Sequence, residues 1–213
     1  MENNNLQYLL DNTILSFYFG STVYGTVTEK SDKDIICIVP DNIATFDDCY
    51  NNICQIDTSD NINYQFIAES NWISMIKNHG IYALEGLWLP DKFIIKGNMQ
   101  HYQKMFKLDN WELRKTCSAI AENAYAKCHK KLIIEKDFDL YKAQKSLFHS
   151  FRILDFAIQI ATYGKIIDYS HANEYWQRIS SMNTSKWEDY KNEFKTELNH
   201  VRSEMVKLCP KPI

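Results

Sequence analysis

Between residues 14 and 67, apolar and polar positions come in short, punctuated runs. "ILSFYF", "DIICIV" and "INYQFI" are dense in β-branched and aromatic residues and are bounded by Gly, Asp, Asn and Ser clusters. Runs of this length and composition predict β-strands. In the third run, Ile62, Tyr64 and Phe66 alternate onto one face, which leaves Asn61, Asn63 and Gln65 on the other. The period changes at residue 68. Through residue 87, Trp72, Met75, Ile76, Leu84 and Leu87 recur at helical spacing. "LPDKFIIKGN" then reads as a connection, with Pro90 and Gly97 as punctuation.

From about residue 98 the pattern is helical almost throughout. "WELRKTCSAIAENAYAKCHKKLI" and "DLYKAQKSLFHSFRILDFAIQIATYG" predict long helices, the second stopped by Gly164 as a C-cap. Asp168 or Ser170 is expected to cap the next helix, and "TSKWEDYKNEFKTELNHVRSEMVKL" predicts a last amphipathic one. The expectation is an α+β fold: a small mixed sheet with flanking helices over residues 1–97, then a helical bundle over 98–213.

Composition narrows the class without naming a function. The chain has 213 residues, 45% of them hydrophobic and 14% aromatic, enough for a sizeable core. A net charge of -3 argues against a broadly basic surface but leaves room for a local basic cleft. No apolar run approaches the roughly 18 to 20 residues that span a bilayer. The polar start, "MENNNLQYLLDN", lacks the basic-then-apolar order of a signal peptide, so a cytoplasmic location and no membrane partner are expected. Cys37, Cys49, Cys54, Cys117, Cys128 and Cys209 form no C-x-x-C pair, which speaks for small core residues in a reducing compartment. The five Trp residues read as core and interface packing, and "KCHKKL" as a helix surface. Glu85, inside the apolar "ALEGLW", is expected to be held in a structural ion pair.

The chemistry concentrates in "FYFGSTVYGTVTEKSDKDIICIV", residues 17–39. Asp32 and Asp34 flank Lys33, so on a strand their carboxylates share a face, roughly 7 Å apart at Cα. Two such charges repel unless a cation or proton lies between them. Hard oxygen ligands of this kind suit Mg²⁺, which also keeps waters and substrate phosphates. Upstream, Gly20 allows close backbone approach, and Ser21 can open a short helix whose first N–H groups attract phosphate.

The order apolar–Gly–Ser, a spacer of about ten residues, then acid-x-acid at a strand start resembles the signature of the DNA polymerase β-type nucleotidyltransferase superfamily. "GSTVYGTVTEKSDKDI" is especially similar to its small bacterial and phage branch, in which G-S-x-x-Y-G-T precedes S-D-x-D. "WISMIKNHGIYALEGLWLP" and "KAQKSLFHSFRIL" resemble that branch's L-E-x-L segment and its K-x-x-x-H-x-x-R helix, so the resemblance touches residues 14–165. It implies a nucleotidyltransferase core, with Gly20 and Ser21 on the nucleotide phosphates and Asp32 and Asp34 holding Mg²⁺ or Mn²⁺. It also implies transfer of a nucleoside monophosphate from a nucleoside triphosphate to an acceptor, with release of pyrophosphate. The acceptor stays open among RNA, a protein side chain and a small molecule.

The resemblance also implies a third carboxylate on the neighbouring strand. Counting back from Trp72, the matching position is Asn63, and an amide cannot take a proton as a general base. Either two acids suffice, or Asp57, Asp60 or Glu69 substitutes, or catalysis has lapsed. On the helix from about Asp139 to Tyr163, Lys142, Lys145, His149 and Arg152 fall within an arc of roughly 80°, apart from the packed arc of Leu147, Phe151, Leu154 and Ile158. Lys145, His149 and Arg152 are the expected phosphate contacts, against the alternative of a solvated face. Two other readings stay open: a lapsed nucleotide- or RNA-binding protein, and a toxin–antitoxin-like regulator whose helical half binds a partner through an exposed apolar patch.

Overall fold

A computed structural model describes residues 2–29, 31–44 and 53–212. Cys49 lies outside them. The chain divides into two compact units, Met1–Lys107 and Leu108–Ile213.

The first unit is a mixed sheet with helices on both faces. Helix α1 (Glu2–Asp11) leads into strand β1 (Leu15–Phe19), the single-turn helix α2 (Ser21–Tyr24) and strand β2 (Lys33–Val39). Strands β3 (Ile53–Asp57) and β4 (Ile62–Ala68) follow, then helices α3 (Glu69–Lys77) and α4 (Ile81–Leu87). Strand β5 (Ile94–Lys96) and helix α5 (Gln100–Gln103) complete the unit. The sheet order is β3-β4-β2-β1-β5. Among the described residues only the β2–β4 pair is parallel; β1 runs antiparallel to β2 and β5, and β3 to β4.

Alternation along the strands assigns the two faces. Ile35, Cys37, Val39 and Phe66 form one buried cluster with Leu9 of α1, joined by Tyr18, Cys54, Ile56 and Tyr64. On the opposite face Phe17 meets Trp72 of α3, ring centroids 5.6 Å apart. A Cβ on Gly86 of α4 would come within 2.8 Å of the Phe17 ring, so the helix packs this closely only because the residue is glycine. Residues 98–107, including α5, belong with this unit. There Gln103 Nε2 donates to the Leu87 carbonyl at 2.8 Å, and Tyr102 Oη to Glu69 Oε1 at 2.8 Å.

Two features depart from the sequence reading. Residues 68–87 form two helices, because His79 adopts φ 55° and stops α3. The Gly80 N–H then bonds back to the Met75 carbonyl at 2.8 Å, and the His79 N–H to the Ile76 carbonyl at 3.2 Å, a Schellman-type ending. The stretch read as a connection contains β5, which is three residues long with Ile95 and Lys96 exposed, too short to show a period.

The second unit is helical: α6 (Asn110–Ile133), α7 (Leu140–Tyr163), α8 (Asn173–Ser181) and α9 (Trp187–Leu208). Asp109 caps α6 by accepting from the Trp111 and Glu112 N–H groups, and Asp139 caps α7 through Lys142 N–H. Gly164, at φ 74°, ends α7 as the sequence predicts. The residue capping α8 is Ala172; Asp168 instead takes the Ser170 N–H and hydroxyl at 2.8 and 2.7 Å. Helix α7 packs against α6, α8 and α9. Its Phe151 stacks on Tyr175 at 4.0 Å and meets Phe194 edge-on at 6.0 Å. Of the five Trp residues only Trp72 is fully buried; the others are half-buried in ring contacts. Among the described residues, no helix is long and apolar enough to cross a membrane.

Candidate active site

The first unit gathers the polar residues onto the edge of one sheet face. Pairing puts Phe19, Asp34, Asn63 and Asp57 in a single row across β1, β2, β4 and β3. Partners in a sheet point to the same side, so these four side chains share a face. Asp34 is half-buried; Asp32, one residue before β2, is exposed.

Gly20 joins this row from the end of β1. It has φ 66°, in the left-handed region that favours glycine. A Cβ there would lie 2.5 Å from Asp34 Oδ2. The backbone at Gly20 therefore runs against the Asp34 carboxylate with no room for a side chain. Ser21 then opens α2, and the Gly20 carbonyl accepts from Val23 N–H at 3.0 Å. A helix's first N–H groups have no partner inside the helix, so the turn presents donors beside the acid.

Beneath the row lies a buried polar layer. Tyr24 Oη, at the end of α2, donates to Glu85 of α4, and Glu85 is 2% exposed. The carboxylate expected in an ion pair is thus hydrogen-bonded to a tyrosine. Tyr82 of α4 packs its ring at a tilt against Phe19, centroids 4.7 Å apart, and donates its hydroxyl to Gln65 Oε1. Burial, and then the charges of Asp34 and Glu85, push the Tyr82 phenol well up, so it keeps its proton. Gln65 Nε2 donates to Asn63 Oδ1 at 3.1 Å, and Asn63 Nδ2 donates to Asp57 Oδ1.

The donor set fits a hard divalent cation. Mg²⁺ is usually held by one or two carboxylates, with substrate phosphates and water completing the shell. Asp34 on β2 and Asp32 just before it are carboxylates of the kind such an ion takes. Among the described residues no three of His, Cys, Asp and Glu are placed to share one ion.

Lys145, His149 and Arg152 lie together in the second unit, on α7. Lys145 is exposed, its Nζ 5.3 Å from the Tyr141 ring. Arg152 is buried, and its Nη2 donates to His149 Nδ1 at 2.6 Å, which puts the ring proton on Nε2. Burial, then the charges of Arg152, Lys127 and Lys145, hold the His149 pKa well below the usual imidazole value. His149 is therefore a neutral link within a cationic group. Lys142 pairs with the capping Asp139 at 3.2 Å. Exposed large apolar side chains of this unit include Ile133, Ile134, Phe138 and Tyr141, around the α6–α7 turn.

Sequence reasoning passed over the Tyr82–Gln65 link and placed Asp57 only among substitutes. "ICQID" gives too few positions to establish a period, so the facing of Asp57 emerges only from its pairing with Asn63.

No family model matches the chain, and no curated protein matches it. Among solved structures it is similar to the spectinomycin adenyltransferase AAD(9) from Enterococcus faecialis, solved with ATP and spectinomycin. That match has 17% identity over 96% of this chain and 98% of the other, with a TM-score of 0.43. It is also similar to a nucleotidyltransferase-like protein from Exiguobacterium sibiricum, at 9% identity over 97% of this chain and 76% of the other, with a TM-score of 0.38. Likenesses at these scores leave the functional argument to the site itself.

Proposed function

We propose that this protein is a nucleotidyltransferase that moves a nucleoside monophosphate from a nucleoside triphosphate to an acceptor hydroxyl. The observation that carries this reading is the contact between the Gly20 backbone and the Asp34 carboxylate. It supports reading the Gly20–Ser21 turn and Asp34 as parts of one site.

In this reading Asp32 and Asp34 hold Mg²⁺ or Mn²⁺. The bound ion supplies positive charge against the triphosphate, in the manner general to such transfers. The α2 turn, with Gly20 and Ser21, receives phosphate oxygens on backbone N–H groups. The acceptor oxygen attacks the α-phosphorus, the bond from that phosphorus to the bridging oxygen breaks, and the electron pair leaves with pyrophosphate. Lys145 and Arg152, with His149 linking to Arg152, form a cationic group on α7 whose charge and shared helix face suit a phosphate.

The test is calorimetry of ATP binding with and without Mn²⁺, together with pyrophosphate release. Asp32→Ala with Asp34→Ala is expected to abolish the metal-dependent binding. Unchanged affinity in the folded double variant would remove the metal site from the proposal. A charge-assisted phosphate contact is worth about 1.5 to 3 kcal/mol, so Lys145→Ala is expected to weaken ATP binding by about tenfold or more. A second reading, a binder without transfer, is favoured by the amide at Asn63. It requires ATP binding with no pyrophosphate release.

A further inference from the structure

The position that faces Asp34 across the β2–β4 pair carries an amide, and Asn63 is only 5% exposed. Its hydrogen bonds run in one direction. Tyr82 donates to Gln65, Gln65 donates to Asn63, and Asn63 donates to Asp57 Oδ1. Gln55 Nε2 reaches the same Oδ1 at 3.4 Å. Every donor in this chain points toward β3, and the chain ends on a carboxylate. The amide that replaces an acid is thus spent orienting an acid one strand further out.

The other substitutes are placed differently. Asp60 lies in the β3–β4 turn, beyond the paired residues. Glu69 starts α3 and accepts from Tyr102. Asp57 alone of the three stands in the row that holds Asp34.

We infer that Asp57 is the general base of the transfer, held in place by the Asn63–Gln65–Tyr82 chain. The inference rests on the nucleotidyltransferase reading. Spacing decides the role. Strands lie about 4.8 Å apart, so two steps separate Asp57 from Asp34 by roughly 9.5 Å at the backbone. Asn63 fills the position between them, so Asp57 stands apart from the acid pair on the edge strand, where an acceptor hydroxyl can approach it from outside the row. Both amides go to Oδ1, so Oδ2 is the oxygen offered to the acceptor. The acceptor O–H proton moves to Oδ2 as the oxygen bonds to the α-phosphorus. The phosphorus–oxygen bond to the β-phosphate breaks, and its electron pair leaves on pyrophosphate. Asp57 afterwards loses the proton to water.

The experiment uses the full chain with ATP and Mn²⁺, with glycerol standing in for the acceptor. Pyrophosphate release is followed across pH, and ATP affinity by calorimetry. The natural chain is expected to release pyrophosphate with a rate that rises with pH through one ionisation. Asp57→Asn, at an exposed position, is expected to lower release by about 10²- to 10⁴-fold, to lose that rise, and to keep ATP affinity within about twofold. Tyr82→Phe removes the donor at the head of the chain and is expected to move the rise to higher pH. Asp57→Asn combined with Asn63→Asp returns the acid to β4 and is expected to recover part of the rate. Release by Asp57→Asn equal to that of the natural chain, or no release by a natural chain that binds ATP, overturns the assignment of Asp57. Failure of the natural chain to bind ATP with Mn²⁺ overturns the underlying reading as well.

Discussion

At the scale of single residues, the site depends on a hydrogen atom. Gly20 combines φ 66° with a virtual Cβ only 2.5 Å from Asp34 Oδ2. Gly20→Ala therefore meets two costs, left-handed strain of about 1 to 2 kcal/mol and displacement of the carboxylate. Gly164 separates them, because it has φ 74° with no atom within 4 Å of its virtual Cβ. Denaturant unfolding is expected to show a loss of about 1 to 2 kcal/mol for Gly164→Ala, with ATP affinity kept. Gly20→Ala is expected to lose more, together with at least tenfold in metal-dependent ATP affinity measured by calorimetry. Equal ATP affinity in the two variants would detach Gly20 from the site. Burial of the Cys37 thiol, which pushes its pKa up to about 12, keeps the sheet face opposite Asp34 chemically quiet.

At the scale of elements, the loop between α7 and α8 is tied down by a small polar cluster. His171 Nδ1 bonds to Asp155 of α7, while Gln159 donates to Asp155 and to the Asp168 carbonyl and accepts from Ile167 and Asp168 N–H groups. The Asp155 carboxylate raises the His171 pKa, with Asp168 and Glu174 adding to it. Burial raises the Asp155 pKa, against the pull of His171 and Gln159. In both cases the folded chain binds protons more tightly than the unfolded one, so stability falls as pH rises. For His171 the contribution is complete below its unfolded value of about 6.5 and disappears as pH passes its raised folded value. The ring is largely exposed, so about 0.2 to 1 kcal/mol is at stake. Urea unfolding at pH 5.5 and pH 8.5 should show this loss in the natural chain and a smaller one in Asp155→Asn; an equal loss in both would dissociate the pair from stability. The same scale explains what the sequence disclosed. Strands β2 and β4 were legible because one face buries Ile35, Cys37, Val39 and Phe66 at strict alternation. The long helices were legible because caps and period agree. Strands β3 and β5 and the break at His79 were not, since they depend on pairing partners and on one residue's left-handed backbone rather than on any repeat.

At the scale of the whole molecule, the chain comprises two compact units, each with its own buried core. Fragment 108–213 contains α6–α9 with their caps and the Phe151–Tyr175–Phe194 packing. It is expected to fold alone and to melt cooperatively by circular dichroism. A featureless melt would show that its core needs the first unit. Within the first unit, the sheet order sets Asp34 on an inner strand and Asp57 on β3, at the margin. Inner strands are bonded on both sides, and a slip of one residue there would turn their side chains to the wrong face. A marginal strand has a neighbour on one side only and can lengthen, twist or slip at less expense to the core. In the proposed reading, the half of the site assigned to the nucleotide is thus tied to the fold, while the half assigned to the acceptor is freer to drift over generations. On that reading, a lineage built on this plan can exchange acceptors while its donor stays the same.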